Sequence, residues 1–342
     1  MHIRWLRGEN MNRIELRSAI KGAIAPDYTK FSQAQADEAV INGILEVFGL
    51  QDASAREIRA HQAEVFALVE EVIEEMLPKA VEDIMGGFAE VKTFARDAEP
   101  LFEIKKVGKA RARMAITEGA RGGIYKARRL DNKNVAIDVK VETVGAFVTL
   151  EEILLGKVSL AELMANIRDG FVEKIYINTV KALRTAKTLA PAANVKSGNG
   201  FATADIDGLV RIAGAYGTPV IMGFRSIIAK ITNDTNWNLQ DKDDIRNKGF
   251  VTVYKGTPVV ELPNYLVDET NSEFVFQEGD LFILPTESKP VKVAMKGDLH
   301  IEEVKHPSGS MEQSAHRLIG VGLVLANNIC VYTDKDVSGG NY

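Results

Sequence analysis

The strongest constraint in this sequence is a single apolar stripe. From Ser159 onward, Leu160, Leu163, Met164, Ile167, Phe171, Ile175 and Leu183 recur at steps of three or four, or their multiples, which is the spacing of one helix face. Ser159 is a good cap and Pro191 stops the run, so the segment predicts one helix of about thirty residues, a rod of roughly 45 Å. It is the longest regular element in the chain. At 342 residues the protein is too large for one ordinary core and large enough for two or three packed units.

The flanks of the rod differ in charge. Between Asp27 and Glu99 there are 16 acidic and 6 basic residues, a net charge of 6 − 16 = −10. Here the pattern from Gln33 to Phe94 is helical, with Ile58, Val65, Val69, Val72, Ile73 and Met76 near helical spacing and Pro78 expected to end the helix. From Phe102 the period shifts towards strands, clearest where Val135, Ile137, Val139 and Val141 alternate with polar or small residues. That run pairs plausibly with Ile124–Leu130 across the turn-rich Asp131–Asn134. Lys105–Lys133 holds 10 basic and 2 acidic residues, a net charge of 10 − 2 = +8. An acidic helical arm is thus followed by a basic extended hairpin.

Beyond the rod, Ser197–Gly200 reads as a loop. A second helix opens at Thr203, with Asp205 and Asp207 suiting its dipole, and closes by Gly217 before Pro219. A strand at Val220–Met222, a brief helix near Ser226–Ile231 and a polar loop over Thr232–Lys248 follow. The remainder reads as strands at Phe250–Tyr254, Pro258–Leu262, Leu281–Leu284, Val291–Met295, Leu299–Val304, Arg317–Leu325 and Ile329–Thr333. Lys255–Gly256, Gly297–Asp298 and Asn327–Asn328 are expected to be turns between them.

Chemistry-bearing motifs are few. The single cysteine, Cys330, forbids an intrachain disulfide and a Cys-ligated metal site, and fits a reducing cytosol. Neither Gly119–Gly123 nor Gly198–Gly200 has the Lys then Ser or Thr of a phosphate loop. Asp234, Asn236 and Asn238 mimic the start of a calcium loop, but Leu239 stands where Gly is required and Ile245 where the bidentate Glu belongs. His2, His61, His300, His306 and His316 have no ligand spacing, and Asp241, Asp243 and Asp244 sit with Lys242 and Arg246 as a solvated charge run. No run approaches the ~20 apolar residues of a membrane helix, and the amino terminus lacks a signal-peptide stretch after Arg4 and Arg7. No catalytic residue, metal or cofactor is expected, and the chain does not read as an enzyme.

The +8 hairpin could neutralise phosphates, yet the whole chain carries −5 and the hairpin's only aromatic residue is Tyr125, so a base-stacking platform is missing. A protein partner is favoured. Arg111, Arg113, Lys126, Arg128 and Arg129 are the residues expected to contact acidic groups on another copy, on its arm or its rod.

The ordered set of segments resembles a known family. "TADIDGLVRIAGAYGTPVIMG", "GFVTVYKGTPVVELP", "EGDLFILP" with "VKVAMKGDLHIEEV", and "RLIGVGLVLANNICVYT" look like successive parts of the Hong Kong 97 type major capsid proteins of tailed bacteriophages, over about Phe102–Thr333. The resemblance implies an α+β fold with an N-terminal helical arm (1–98), an E-loop hairpin (99–146), a P domain with its spine helix (147–197), an A domain (198–285) and P-domain return strands (286–342). It implies a subunit that forms hexamers and pentamers, closing into an icosahedral shell around double-stranded DNA. Assembly is expected in the host cytoplasm, the product is the virion, and scaffolding, portal or decoration proteins are further partners. The first 95 or so residues exceed a minimal arm and read as an extended arm or as a scaffolding-like segment. An encapsulin-like compartment shell is the alternative within the fold, and an enzyme or nucleic-acid binder the alternative outside it.

Overall fold

The computed structural model describes residues 13–24, 33–50, 57, 60–104, 133–146, 159–233, 239–267, 270, 273–276, 278–287, 289–305, 311–324 and 326–337. The rod is present as α4, Leu160–Leu189, if the helices before it are numbered α1 (Arg13–Ile24), α2 (Gln33–Val47) and α3 (Gln62–Met85). Ser159 Oγ accepts the Glu162 N–H at 3.1 Å and donates to Asp37 of α2 at 2.6 Å, so the cap also ties the arm to the rod. Pro191 follows the last turn, as expected. All seven stripe residues are buried, and Val172, Tyr176, Thr179, Val180 and Ala186 join them, because α4 is covered from more than one side.

Two sheets share the rod. The first has the order β1–β10–β11–β4, from Ala89–Phe94 (β1), Val291–Lys305 (β10), Met311–Leu323 (β11) and Lys140–Ala146 (β4); β1 runs parallel to β10 and the other pairs are antiparallel. Its inner face, with Val291, Val293, Met295, Ala315 and Ile319, packs on α3 and α4. The second has the order β5–β12–β9–β6–β8–β7, with β5 at Val195–Gly198, β6 Pro219–Gly223, β7 Val253–Tyr254, β8 Thr257–Glu261, β9 Asp280–Pro285 and β12 Cys330–Asp334. Every residue of β9 is buried, as a central strand with covered faces requires. Phe282 and Leu284 face the rod's core; Leu281 and Ile283 face the opposite core with α5 (Thr203–Gly214) and α6 (Arg225–Ile228). Asp280, only 2% exposed, receives Arg184 of α4 at 3.0 Å, Lys187 and the Thr333 hydroxyl, fastening the rod to this sheet.

Several expectations are corrected. Pro78 lies inside α3 and does not end it. Its ring removes one helical bond, at about 3 kcal/mol, but Val65, Leu68, Val69, Val72, Ile73 and Leu77 before it and Val81 and Met85 after it are all buried, which offsets that loss several times over. Ala89–Phe94 is strand, not helix: pairing with β10 decides it. Ser197 and Gly198 belong to β5, α5 ends at Gly214, and Leu239–Lys248 is a helix (α7) where a loop was expected. Gly297–Asp298 is no turn. It is a bulge in a continuous β10, with the register shifting between Lys296 and His300 and Gly297 at φ +68. By contrast, Lys255 (φ 46) and Gly256 (φ 81) are the two left-handed residues of the expected two-residue hairpin turn, joining β7 to β8.

Candidate assembly surfaces

The expected hairpin springs from a described root. Leu101–Ile104 (β2) pairs antiparallel with Lys133–Ala136 (β3), Leu101 opposite Ala136 and Ile104 opposite Lys133. The alternating run through Val141 therefore divides, its first part pairing with β2 and its last forming β4 on β11. Arg111, Arg113, Lys126, Arg128 and Arg129, and the Ile124–Leu130 partner strand, lie outside the described residues.

The root is anchored on the outer face of the first sheet by a small core of its own. Phe102, Ile104 and Ile137 are buried there with Ala294 and Val324; Phe94 meets Phe102 edge-on at 5.5 Å, and Lys92 Nζ stands 5.1 Å from the Phe102 ring centre. The chain from β3 to β4 crosses this face at two glycines. A Cβ on Gly320 would stand 2.4 Å from the Asp138 carbonyl oxygen, and one on Gly322 2.4 Å from Ile137 Cδ1. Gly320→Ala is expected to destabilise by about 1–3 kcal/mol, because backbone must move, and Gly322→Ala by less, because a side-chain tip can turn away. Urea midpoints of the two variants check this; equal midpoints would show that the crossing is not backbone-tight.

The arm is part of the body. Leu16 and Ile20 of α1, Val40 and Ile44 of α2 and the buried side of α3 belong to the same core as α4 and the first sheet. Arg13 reaches Glu71 at 3.0 Å, Arg17 reaches Glu71 at 3.2 Å and Glu75 at 3.3 Å, and Lys21 also binds Glu75, holding its carboxyl below the usual range. The acids on this face are matched within the chain. Glu74 turns inward instead, 3.7 Å from Nη2 of Arg317, whose side chain is 0% exposed. None of the three Arg317 guanidinium nitrogens makes a hydrogen bond among the described residues. Burial pushes the Glu74 carboxyl up and the Arg317 guanidinium down.

Other singled-out residues have local roles. Asp244 sits on α7, accepts the Thr252 hydroxyl, which holds it below the usual carboxylate range, and pairs with Lys248 at 3.6 Å. His61 lies 3.1 Å from Glu64, His300 lies 3.3 Å from Glu70 and 3.1 Å from Glu302, and His316 shares a 2.8 Å hydrogen bond with Thr143. Cys330 is buried and its thiol is pushed up to about 12, which makes it a poor nucleophile. Among the described residues no group of His, Cys, Asp and Glu could hold a metal, and no helix is long and apolar enough to cross a membrane. Asp234, Asn236 and Asn238 lie outside the described residues.

Large apolar side chains are exposed at two places of the second sheet's region. Val253 and Val260, 50% and 42% exposed, lie on β7 and β8, and Leu266, Val267 and Phe274, 41%, 57% and 51% exposed, lie on the segment that follows β8. Exposed groups of this kind suit contacts between proteins.

A family model described as "SPbeta prophage-derived putative capsid protein YonB" matches residues 10–324. No curated protein matches the sequence. Among solved structures, the chain is similar to the bacteriophage PhiM1 mature capsid at 11% identity, over 73% of this chain and 86% of that one, with a TM-score of 0.48. The satellite phage P4 procapsid is similar at 12% identity, over 82% and 98%, with a TM-score of 0.49. The virus-like particle of Pyrococcus furiosus is similar at 12% identity, over 75% and 98%, with a TM-score of 0.41.

Proposed function

The chain belongs to the YonB family of prophage capsid proteins and is a structural shell protein, and from that premise we propose that its copies form hexamers and pentamers that close into an icosahedral phage head. The family match carries the reading, since residues 10–324 span every described element from α1 through β11. The proposed contents are double-stranded DNA, enclosed without sequence-specific binding; a net charge of −5 fits a subunit that does not adhere to packaged DNA. We take the working units to be the arm (1–98), the hairpin (99–146), the rod (147–197), the A domain (198–285) and the return strands (286–342), with assembly in the host cytoplasm.

The root supports this reading: β2 and β3, which flank in sequence the segment carrying Arg111, Arg113, Lys126, Arg128 and Arg129, are clamped to the first sheet by a core of their own. One exposed ion pair is worth only about 0–1 kcal/mol, but a shell repeats each contact over many copies. Purified protein without added cofactor is expected to give rings or closed particles in negative-stain electron microscopy. A strictly monomeric species across a series of protein and salt concentrations would overturn the proposal.

A further inference from the structure

The sequence contains two Asn–Gly pairs, Asn42–Gly43 and Asn199–Gly200. Such a pair is chemically fragile, because glycine has no side chain to keep its amide nitrogen away from the side-chain carbonyl of the residue before it. That nitrogen can attack Asn Cγ: the amide proton passes to solvent, the new N–Cγ bond forms, the Cγ–Nδ2 bond breaks, and ammonia leaves after taking up a proton from water. Water then opens the resulting succinimide at either carbonyl, giving aspartate or isoaspartate. The fold treats the two pairs differently. Gly43 lies inside α2, where each N–H is bonded to the carbonyl four residues back. Asn199 and Gly200 lie between β5 and α5, in neither a helix nor a strand, with Asn199 exposed and Gly200 at φ +67.

Two buried residues of β12 hold this turn instead. The Gly200 N–H donates to Asp334 Oδ1 at 2.8 Å, and the Tyr332 hydroxyl donates to the Gly200 carbonyl at 2.6 Å while accepting the Ala202 N–H at 3.3 Å. Tyr332 and Asp334 are both 0% exposed. On the near side of the turn, the Lys335 N–H donates to the Gly198 carbonyl at 2.9 Å, and a Cβ on Gly198 would stand 2.7 Å from the Tyr332 hydroxyl. Asp334 also receives the Lys230 ammonium and the Asp336 N–H. Burial works against its charge, but Lys230 and the N–H groups of Asp336 and Gly200 together hold the carboxyl below the usual carboxylate range. A carboxylate so weakly basic keeps the Gly200 proton in place and does not remove it. The nitrogen that would attack Asn199 is thus held as a bonded N–H directed at Asp334.

We propose that Asn199 is a deamidation site, and that Asp334 is the residue that keeps it an amide in the folded subunit. The guard lies 134 positions after the glycine it restrains and comes with β12, so Gly200 is unrestrained whenever β12 is not docked. Deamidation in that open state would add a carboxylate where burial, with Asp334, Asp205 and Asp336, already pushes the Tyr332 phenol up. Isoaspartate would also lengthen the backbone by one atom ahead of Gly200, so that its N–H and carbonyl no longer meet Asp334 and Tyr332 together. The modification is therefore a chemical record of time spent with the second sheet open.

The test follows both pairs in the full chain at mildly alkaline pH, with peptide mass spectrometry reading the appearance of a carboxylate at positions 199 and 42. Folded wild-type protein is expected to keep both amides over a period in which the guanidinium-unfolded chain loses both. Asp334→Asn, which keeps the shape but loses the charge, is expected to speed loss at Asn199 about tenfold and to leave Asn42 unchanged. Tyr332→Phe loosens the same turn but leaves the Gly200 N–H on Asp334, and is expected to speed it much less. Asn42 separates local from global opening: if Asn199 accelerates only in step with Asn42, protection belongs to the fold as a whole and the assignment to Asp334 is overturned. It is overturned equally if Tyr332→Phe matches Asp334→Asn, or if folded wild-type protein loses Asn199 as fast as the unfolded chain.

Discussion

Glu74→Ala is expected to lower the stability of the folded subunit by about 3–5 kcal/mol, well beyond what an ordinary surface carboxylate contributes. Arg317 lies in the middle of β11, on the core face between Ala315 and Ile319, and its side chain is 0% exposed. Its guanidinium makes no hydrogen bond among the described residues, and it pairs with the Glu74 carboxylate at 3.7 Å. Removing that carboxylate leaves a buried cation with Asp298 as the remaining acid acting on it among the described residues. The opposite holds when both charges go: Glu74→Leu with Arg317→Met replaces a poorly bonded pair by apolar packing, and is expected to be neutral or to stabilise by about 1–4 kcal/mol. Denaturant unfolding of an assembly-defective background reads both variants. If the single change shifts stability by less than about 1 kcal/mol, the two charges are not coupled.

Phe171→Ala should weaken the subunit by a similar amount, about 3–5 kcal/mol, for a different reason. Phe171 is 0% exposed on α4, within the core that also contains Val293 and Met295 of the first sheet and Phe282 of the second. The lost side chain leaves a void, and a rod held by two sheets and α3 cannot easily collapse into it. A large fall in melting temperature is expected. An unchanged melting temperature would mean that the rod is not packed there.

What could be read in the sequence depended on whether local physics decided the outcome. The rod was legible at both ends, because its stripe, its Ser159 cap and Pro191 all act within a few residues. The Lys255–Gly256 turn was legible for the same reason. Helix α7 was not: Leu239–Lys248 has almost no apolar residues, and it is steadied instead by Asp244 with Thr252 and Lys248 and by Arg246 and Lys248 in its last turn. Strand β1 was absorbed into the helical pattern because Glu90 and Lys92 become strand residues only by pairing with β10, where Lys292 meets Glu90. Gly297–Asp298 has turn chemistry, and only the pairing of β10 with β11 makes it a bulge.

For the assembly surfaces, the basic character of 105–133 was plain from charge alone. The matching of Arg13, Arg17 and Lys21 to Glu71 and Glu75 was hidden, although the three cations recur every four residues, because the first helix was not read and its partners lie more than 50 positions away. The inward turn of Glu74 was hidden too, since Glu70, Glu71, Glu74 and Glu75 look alike until the first sheet engages Glu70 through the Ile301 N–H and Glu74 through Arg317.

The pairing of β1 with β10 also sets a clock on synthesis. Glu90 and Lys292 are 202 positions apart, so at ribosomal rates of about 5–20 residues per second β1 emerges some 10–40 s before the strand that will cover it. The second sheet is completed later in synthesis, because β12, which lies between β5 and β9, is the last of the described strands to leave the ribosome. Neither sheet can close on a partial chain. A nascent or truncated subunit that ends before β10 therefore has neither sheet complete, however well its arm and rod are formed.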